Sequence, residues 1–363
     1  MFLNPDQYSC RRISGFLVFR GTSILLEGGL MLKRKEKYIW RRISQLFFAI
    51  MVILIGIQFI GFVQSISDSN VTLFKARPAG VEAFLPISAL VALKAWLTTG
   101  EFDRIHPAGL VIFLAAMSVS LLWKRAFCSW ICPFGTLSEG LALLGQKIFK
   151  RNFTPPRWLD YVLRSLKYLI LGFFIFFILV LMDGASAYAF LQTPYNMVSD
   201  IKMLEFFFNM TWVGFCVITG LIVLSVLIEN FWCRYLCPYG ALLGLLGMIS
   251  PWKIRREPGT CISCARCSIA CPNRINVDKM KNVWSPECTG CLNCVKQCPV
   301  SNTLKFDLPK PSLSLSQKRL ALCVVGLWFA MIGIAKLTGH WETSISLEMY
   351  RRLISIMDQV THF

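Results

Sequence analysis

Two stretches carry eight of the chain's fifteen cysteines: C-I-S-C-A-R-C-S-I-A-C-P at 261–272 and C-T-G-C-L-N-C-V-K-Q-C-P at 288–299. Each reads C-x2-C-x2-C-x3-C-P. Three thiolates this close in a tight loop can cap three irons of one cube, and the fourth starts a turn that leads to the other cube. The spacing assigns one [4Fe–4S] cluster to Cys261, Cys264, Cys267 and Cys298. It assigns a second to Cys288, Cys291, Cys294 and Cys271. A pair of zinc sites would use separated C-x2-C pairs, not a repeated run of four closed by proline.

Four more cysteines form a second pattern. R-A-F-C-S-W-I-C-P-F-G at 125–135 and N-F-W-C-R-Y-L-C-P-Y-G at 230–240 share C-x3-C-P-aromatic-G. On a helix, positions i and i+4 lie on one face, so Cys128 with Cys132 and Cys233 with Cys237 each offer two thiols to one side. Pro133 and Pro238 push the preceding residue out of the helical region and end the helix at the second cysteine. Two such ends facing one another would gather four thiols. Three chemistries are open to them: a third iron–sulfur centre, dithiol–disulfide exchange, or plain packing of small apolar side chains. Cys216 and Cys323 lie singly inside apolar runs and read as packing residues, and Cys10 is isolated.

The elements that must position these thiols are apolar. Of the 363 residues 55% are hydrophobic, above the ~45–50% of soluble domains. They come in long uncharged runs: Ile43–Val63, Pro107–Trp123, Leu166–Met182, Thr211–Ile228 and Leu320–Leu337. A bilayer core of ~30 Å takes roughly 20 apolar residues as a helix. Five spans are expected, with Lys167 and Lys336 snorkelling to an interface. The lead before Met31, itself a second candidate start, has no clean signal-peptide core.

Charge orients the spans. Basic residues crowd the N-terminal flank (Lys33, Arg34, Lys35, Lys37, Arg41, Arg42), the segment after the second run (Lys124, Arg125, Lys147, Lys150, Arg151) and the segment after the fourth (Arg234, Lys253, Arg255, Arg256). Loops 64–106 and 183–210 are charge-poor or balanced. The N-terminus and cysteine-rich region are expected in the cytoplasm and the tail from Gly339 outside. Much of the net charge of +18 is then topology, and no basic–aromatic nucleic-acid motif appears. Cytoplasmic thiols stay reduced, which favours metal over disulfides.

The apolar part repeats internally. Pro86 precedes Lys94 by eight residues in P-I-S-A-L-V-A-L-K, and Pro194 precedes Lys202 by eight in P-Y-N-M-V-S-D-I-K. Each stretch is too short or too polar to span and reads as a half-inserted outside segment. Two parallel copies, about 40–150 and 164–252, imply a pseudo-two-fold axis along the membrane normal. Lys94 and Lys202 are candidates for a quinone oxygen or an anionic group, against snorkelling. His106, in R-I-H-P, is a candidate proton acceptor in quinol oxidation, against a helix-capping or exposed role. With three histidines in the chain, bis-histidine haem is not expected. Arg266, Arg274, Lys279, Lys281 and Lys296 form either a face for an acidic partner or one toward anionic lipid.

These motifs, with A-F-C-S-W-I-C-P-F-G-T-L-S-E, W-C-R-Y-L-C-P-Y-G-A-L, S-P-W-K-I-R-R, P-E-C-T-G-C and the tail E-M-Y-R-R-L-I, resemble the NapH/NosR/CcoG group of bacterial membrane polyferredoxins over about residues 38–355. The resemblance implies an inner-membrane electron-transfer protein, a quinol dehydrogenase or a partner of periplasmic reductases. All eight ferredoxin cysteines and the four C-x3-C-P cysteines match the family pattern. The chain lacks the large outside flavin domain of the NosR type, and its fifth run and tail exceed the four-span NapH pattern.

The expected architecture is a polytopic α-helical membrane protein of two parallel repeats plus a cytoplasmic bacterial-type 2[4Fe–4S] ferredoxin domain. The segments are a cytoplasmic lead at 1–42, the membrane domain at 43–252, the ferredoxin domain at 257–307, a Pro/Ser linker at 308–318, a last span at 319–338 and a periplasmic tail at 339–363. The expected function is electron relay between the quinone pool, or an outside redox partner, and a cytoplasmic partner. The rivals are a metal-reducing maturation factor or redox sensor, and a ferredoxin anchored by inert spans.

Overall fold

The computed structural model describes residues 39–67, 76–150, 153–309 and 313–356. The readings on the lead, on Cys10 and on Lys33–Lys37 fall outside these residues. Fifteen helices are described: α1 Trp40–Ser67, α2 Pro86–Thr99, α3 Pro107–Trp123, α4 Ala126–Trp130, α5 Pro133–Phe149, α6 Arg157–Ile175, α7 Gly184–Leu191, α8 Pro194–Met197, α9 Ser199–Phe208, α10 Trp212–Leu227, α11 Pro238–Ile249, α12 Arg266–Ile269, α13 Asn293–Gln297, α14 Gln317–Leu337 and α15 Leu347–Ser355. One two-stranded antiparallel ribbon pairs β1 Lys253–Arg256 with β2 Leu304–Asp307.

All five apolar runs are helical. Three helical stretches, Trp40–Ile66, Arg157–Leu181 and Gln317–Leu337, are long and apolar enough to cross a bilayer. α9 with α10 makes a fourth if the pair, bent by 84°, counts as one. α1 shows why: Leu46, Ile50, Ile53, Leu54 and Ile57 are exposed on one side, as a lipid-facing helix requires, while Phe48, Phe59 and Phe62 are buried. α3 is different. At 17 residues it is about 25 Å long, and most of it is buried at the centre, packed by α2, α11 and α14. Small residues (Ala108, Gly109, Ala115, Ala116) let these neighbours approach.

The segments between the runs fold back. A single 3-10 turn, Ala79–Phe84, packs Gly80 against Ile55, where a Cβ would meet the Ile55 side chain at 2.8 Å. Ile55 is at the middle of α1, so this turn reaches mid-helix depth before α2 returns. α2 packs on α7 of the second copy. The tail also returns: α15 seats Tyr350 beside Phe59 and Phe62 of α1, with the two rings of Phe62 and Tyr350 edge-on at 5.7 Å.

The cysteine-rich region has no core of its own. Ile254, Val283, Cys288, Leu292 and Phe306 share one buried cluster with Ala126, Phe127 and Trp130 of α4, Leu243 of α11 and Trp328 of α14. The β1–β2 ribbon, Lys253–Arg256 against Leu304–Asp307, closes this region.

Candidate iron–sulfur sites

Matched backbone strain shapes the two cysteine loops. Ser263 and Ala265 flank Cys264 with φ of 52° and 54°, and Gly290 and Leu292 flank Cys291 with φ of 60° each. Left-handed geometry at three non-glycine positions is costly. It is the curl that wraps a loop around a guest, and the following helix (α12 or α13) starts there in both motifs.

The loops line two pockets. One is lined by Cys271, Cys288, Cys291 and Cys294 with Ile254, Ile275 and Val283. The other is lined by Cys261, Cys264, Cys267 and Cys298, with Asp278 and Arg256 in its wall. The structure therefore brings together the two sets of four that the spacing assigns, each taking its fourth cysteine from the other motif. Burial pushes the Cys271 thiol up to about 12, with Cys291 the next cause, and the Cys267 thiol up to about 11. Four thiolates crowded in this way without a cation are unfavourable, and metal that replaces their protons removes the cost. Among the described residues no three His, Cys, Asp or Glu side chains converge on a single metal ion. A cube suits thiols spread around a body of several atoms, and each pocket is lined by four of them.

The C-x3-C-P loops hold their cysteines differently from a simple helix end. α4 stops at Trp130, Cys132 is extended (φ −62°, ψ 122°), and Pro133 starts α5. In the second copy a π-helical turn, Trp232–Leu236, ends before extended Cys237, and Pro238 starts α11. Each proline stops one helix and opens the next. The four thiols of Cys128, Cys132, Cys233 and Cys237 are close enough to feel one another electrostatically. Tyr239, stacked on Phe113 at 5.6 Å, lies beside three of them.

A buried polar network ties this quartet to the Cys288 loop. Arg125 feels Cys128 and Cys233, donates to the Gly240 carbonyl at 3.0 Å and lies 3.7 Å from Glu287. Lys167 Nζ donates to both Glu287 oxygens at 2.7 Å, and the Tyr168 hydroxyl donates to one at 3.0 Å. Burial would raise the Glu287 carboxyl, but Arg125 and then Lys167 hold it below the ordinary range. The expectation that Lys167 snorkels is corrected: its side chain is fully buried on Glu287. Lys336 sits at the end of α14, 5.9 Å from the Trp341 ring. Arg125, Glu287 and Tyr168 were missed in the sequence, where Lys167, an ionisable residue in an apolar run, was the available signal.

Both copies reach the same cysteine set. From copy one, Ser129 donates to the Thr289 carbonyl at 2.6 Å and Trp130 to the Gly290 carbonyl at 3.2 Å. From copy two, Arg234 donates to the Pro272 carbonyl at 3.2 Å, while pairing with Asp160.

The outer candidates do not converge on any of this. His106 is buried, neither exposed nor making a side-chain cap. Its Nε2 lies 2.7 Å from the Asn196 carbonyl and its Nδ1 3.5 Å from Glu82. Arg77 bonds Glu82 and Asp200 at 2.7 Å each. This knot joins the first copy's turn to the second copy's α9. Lys94 donates to the Leu179 carbonyl at 3.0 Å, and Lys202 lies 5.5 Å from the Tyr195 ring. Of the lone cysteines, Cys216 is exposed on α10, not packed, and Cys323 is half-buried on α14.

Comparison with known proteins agrees with this geometry. A family model described as "4Fe-4S dicluster domain" matches residues 253–299, which hold all eight ferredoxin cysteines. A model described as "4Fe-4S binding domain" matches twice, at 105–152 and 208–257, the two C-x3-C-P copies. The chain is 45% identical over 328 residues to "Putative electron transport protein YccM" of Escherichia coli K12, covering 89% of this chain and 92% of the relative. The chain belongs to the NapH/NosR-type membrane polyferredoxins. It is 25% identical to "Ferredoxin-type protein NapH" of Haemophilus influenzae, over 74% of this chain and 88% of that one. It is 31% identical to "Regulatory protein NosR" of Pseudomonas aeruginosa over 53% of this chain but only 26% of NosR. No solved structure matches. This polyferredoxin thus joins 4Fe–4S domains to helices apolar enough to span a membrane.

Proposed function

We propose that the protein carries electrons across the cytoplasmic boundary of the inner membrane, between the quinone pool or a periplasmic redox partner and a cytoplasmic partner. Iron–sulfur cubes supply reversible one-electron transfer when bound. The chain supplies the thiols, their order and their dry surroundings. Cys261, Cys264, Cys267 and Cys298 would hold one cluster, and Cys271, Cys288, Cys291 and Cys294 the second. Cys128, Cys132, Cys233 and Cys237 would hold a third centre at the inner ends of the two copies. The N-terminus and ferredoxin region are then cytoplasmic and the tail periplasmic, by the distribution of basic residues.

The observation that carries this reading is the double grip on the Cys271/Cys288 set by Ser129 and Trp130 of one copy and Arg234 of the other. A ferredoxin tethered to inert spans has no need of it. The three cysteine sets follow one another in space, from the copies' inner ends to the Cys261 set, whose wall carries half-buried Asp278 and Arg256.

The outer knot leaves His106 with both ring nitrogens engaged, so a quinone oxygen would have to displace the Asn196 carbonyl or Glu82. Lys94 and Lys202 remain candidates for such an anionic or quinone contact only with loss of their present partners. A metal-reducing maturation role is the alternative. In lipid, a water-soluble quinol should bleach the cluster absorbance, and Cys128→Ser or Cys233→Ser should abolish this while leaving dithionite bleaching intact. Quinol inertness with fast Cu(II) reduction would favour the alternative. Unchanged quinol rates in both serine variants would return the spans to the role of anchor.

A further inference from the structure

Lys124 is an anomaly that the relay does not explain. It links α3 to α4 in a left-handed conformation, φ 62° and ψ −165°, strained for a lysine. Its side chain is fully buried. Its backbone is clamped: its N–H donates to the Ser250 hydroxyl at 3.1 Å, and that hydroxyl donates to the Leu122 carbonyl at 2.6 Å. Gly247 and Gly290 press on it so closely that a Cβ on either would lie 3.1 Å or less from backbone of the 123–125 turn. Yet Nζ has no hydrogen-bond partner. An isolated ammonium held out of water is strongly unfavourable, and folds keep such a group where an anion will meet it.

Charge counting locates the anion. Lys124, Arg125 and Lys167 are all buried around the Cys288 loop with one carboxylate, Glu287, among them. Glu287 is taken by Lys167, Tyr168 and Arg125. Burial disfavours the Lys124 ammonium, the Cys288 sulfur favours it, and Lys253, of like sign, opposes it. The cavity beyond Cys288 has no charged side chain in its wall, whereas the Cys261 cavity has Asp278 and Arg256, which offset each other. A cube with four thiolates is an anion in either oxidation state, and more so when reduced.

We propose that Lys124 is the fixed counter-cation of the cluster held by Cys271, Cys288, Cys291 and Cys294, and that it sets that cluster at a higher reduction potential than the one held by Cys261, Cys264, Cys267 and Cys298. This rests on the proposed cluster assignment. Lys124 does not line the cavity. It stands behind Gly290, its Cβ 3.8 Å from where a Gly290 Cβ would be, and acts through its field in a low-dielectric interior. It is a tuning residue. The added electron is balanced in part by a charge already in place, so no proton need accompany it. The membrane copies thereby bias the ferredoxin region: the set nearest to them becomes the resting place of an electron.

The test is an EPR redox titration of the full-length protein in lipid, comparing wild type, Lys124→Met and Lys124→Arg, with Cys291→Ser to assign signals. In Lys124→Met the reduced-to-oxidised ratio of the Cys291-dependent signal, read at its wild-type midpoint, should fall about tenfold. The Cys261-set signal should stay, Lys124→Arg should restore the first, and iron and sulfide per chain should be equal in all three. No shift, an equal shift in both signals, or a shift kept in Lys124→Arg overturns the proposal. If Lys124→Met does not assemble, the unmodified protein decides: the Cys291-dependent signal must be the higher-potential one of the pair, and the reverse order refutes it. Absence of any cluster from wild type would instead refute the assignment on which the proposal rests.

Discussion

Neutralising Glu287 should unclamp the Cys288 loop from the membrane helices. Glu287→Gln keeps the side-chain shape and the bond from the Asn273 side-chain amide to the Glu287 backbone carbonyl at 2.8 Å. It removes the charge that faces Lys167 at 2.7 Å and Arg125 at 3.7 Å. Two cations then stay buried against a neutral amide, whose single oxygen replaces the two carboxylate oxygens that accept from Lys167 and Tyr168. Breaking a buried ion pair by removing one partner costs about 3–5 kcal/mol. The loss falls on docking rather than on either part alone, because Lys167 is on α6 and Glu287 precedes Cys288. If local opening governs amide exchange, about 3 kcal/mol means at least roughly a hundredfold faster exchange at the amides of Cys288–Leu292. Hydrogen exchange by mass spectrometry on the protein in lipid measures it, with α14 as the internal reference. In Lys167→Met with Glu287→Leu the exchange should move back toward wild type, since apolar replacements of a buried pair are often near neutral. Exchange in Glu287→Gln within threefold of wild type would refute the reasoning and leave the apolar contacts of Phe127 and Trp130 as the clamp.

Three further outcomes are expected. Cys128→Ser should lower iron per chain by one cluster's complement and leave the eight-cysteine clusters in place, read by iron and sulfide assay beside EPR. Gly135→Ala should disrupt the first C-x3-C-P loop by several kcal/mol, because its Cβ would meet the Cys128 carbonyl oxygen at 2.0 Å, whereas Gly240→Ala, whose nearest contact is at 3.5 Å, should be mild. Thermal unfolding in detergent separates the two. In the outer knot, burial pulls His106 down but Glu82 prevails and raises it, within a surround of Arg77, Asp200 and Asp103. A raised histidine contributes stability below its ordinary value of ~6.5 and loses it as pH rises through its folded value. Protection at Leu347–Ser355, docked beside this knot and corrected for the base-catalysed intrinsic exchange rate, should therefore fall with pH above neutral, and His106→Gln should flatten the dependence.

The two cysteine motifs were legible because the spacing of three thiolates around one cube is a local constraint, set within one short loop and read without knowing the fold. The apolar runs were legible for the same reason: a helix in lipid closes its own hydrogen bonds. What escaped reading is what depends on partners distant in the chain. Lys167 in isolation is a lysine in an apolar run, for which snorkelling is the ordinary solution. It becomes a clamp only because Glu287, 120 residues away, is brought to it. His106 likewise reads as a residue at the mouth of a helix until Glu82 and the Asn196 carbonyl close around it. Lys94 and Lys202 stand at matched repeat positions, yet they meet different groups, the Leu179 carbonyl and the Tyr195 ring.

That departure is itself functional in form. The two C-x3-C-P loops look equivalent, yet position 129 is serine where position 234 is arginine, and Arg125 stands where copy two has Asn230. Serine at 129 leaves room for a short bond to the Thr289 carbonyl. Arginine at 234 spans from Asp160 to the Pro272 carbonyl. A symmetric pair of loops could not seat an asymmetric guest, because the Cys271 and Cys288 strands of the ferredoxin region present different carbonyls to each side. Each copy has therefore been fitted to one strand. Arg125, present once, lies between the quartet and Glu287. Restoring symmetry by Ser129→Arg would drive a guanidinium into the Thr289 carbonyl's place, where the neighbouring Glu139, reached through Gln45, is already paired with Arg41 and Arg42. The loss should appear as an undocked ferredoxin region whose clusters still form and still take electrons from dithionite, but no longer from the membrane side.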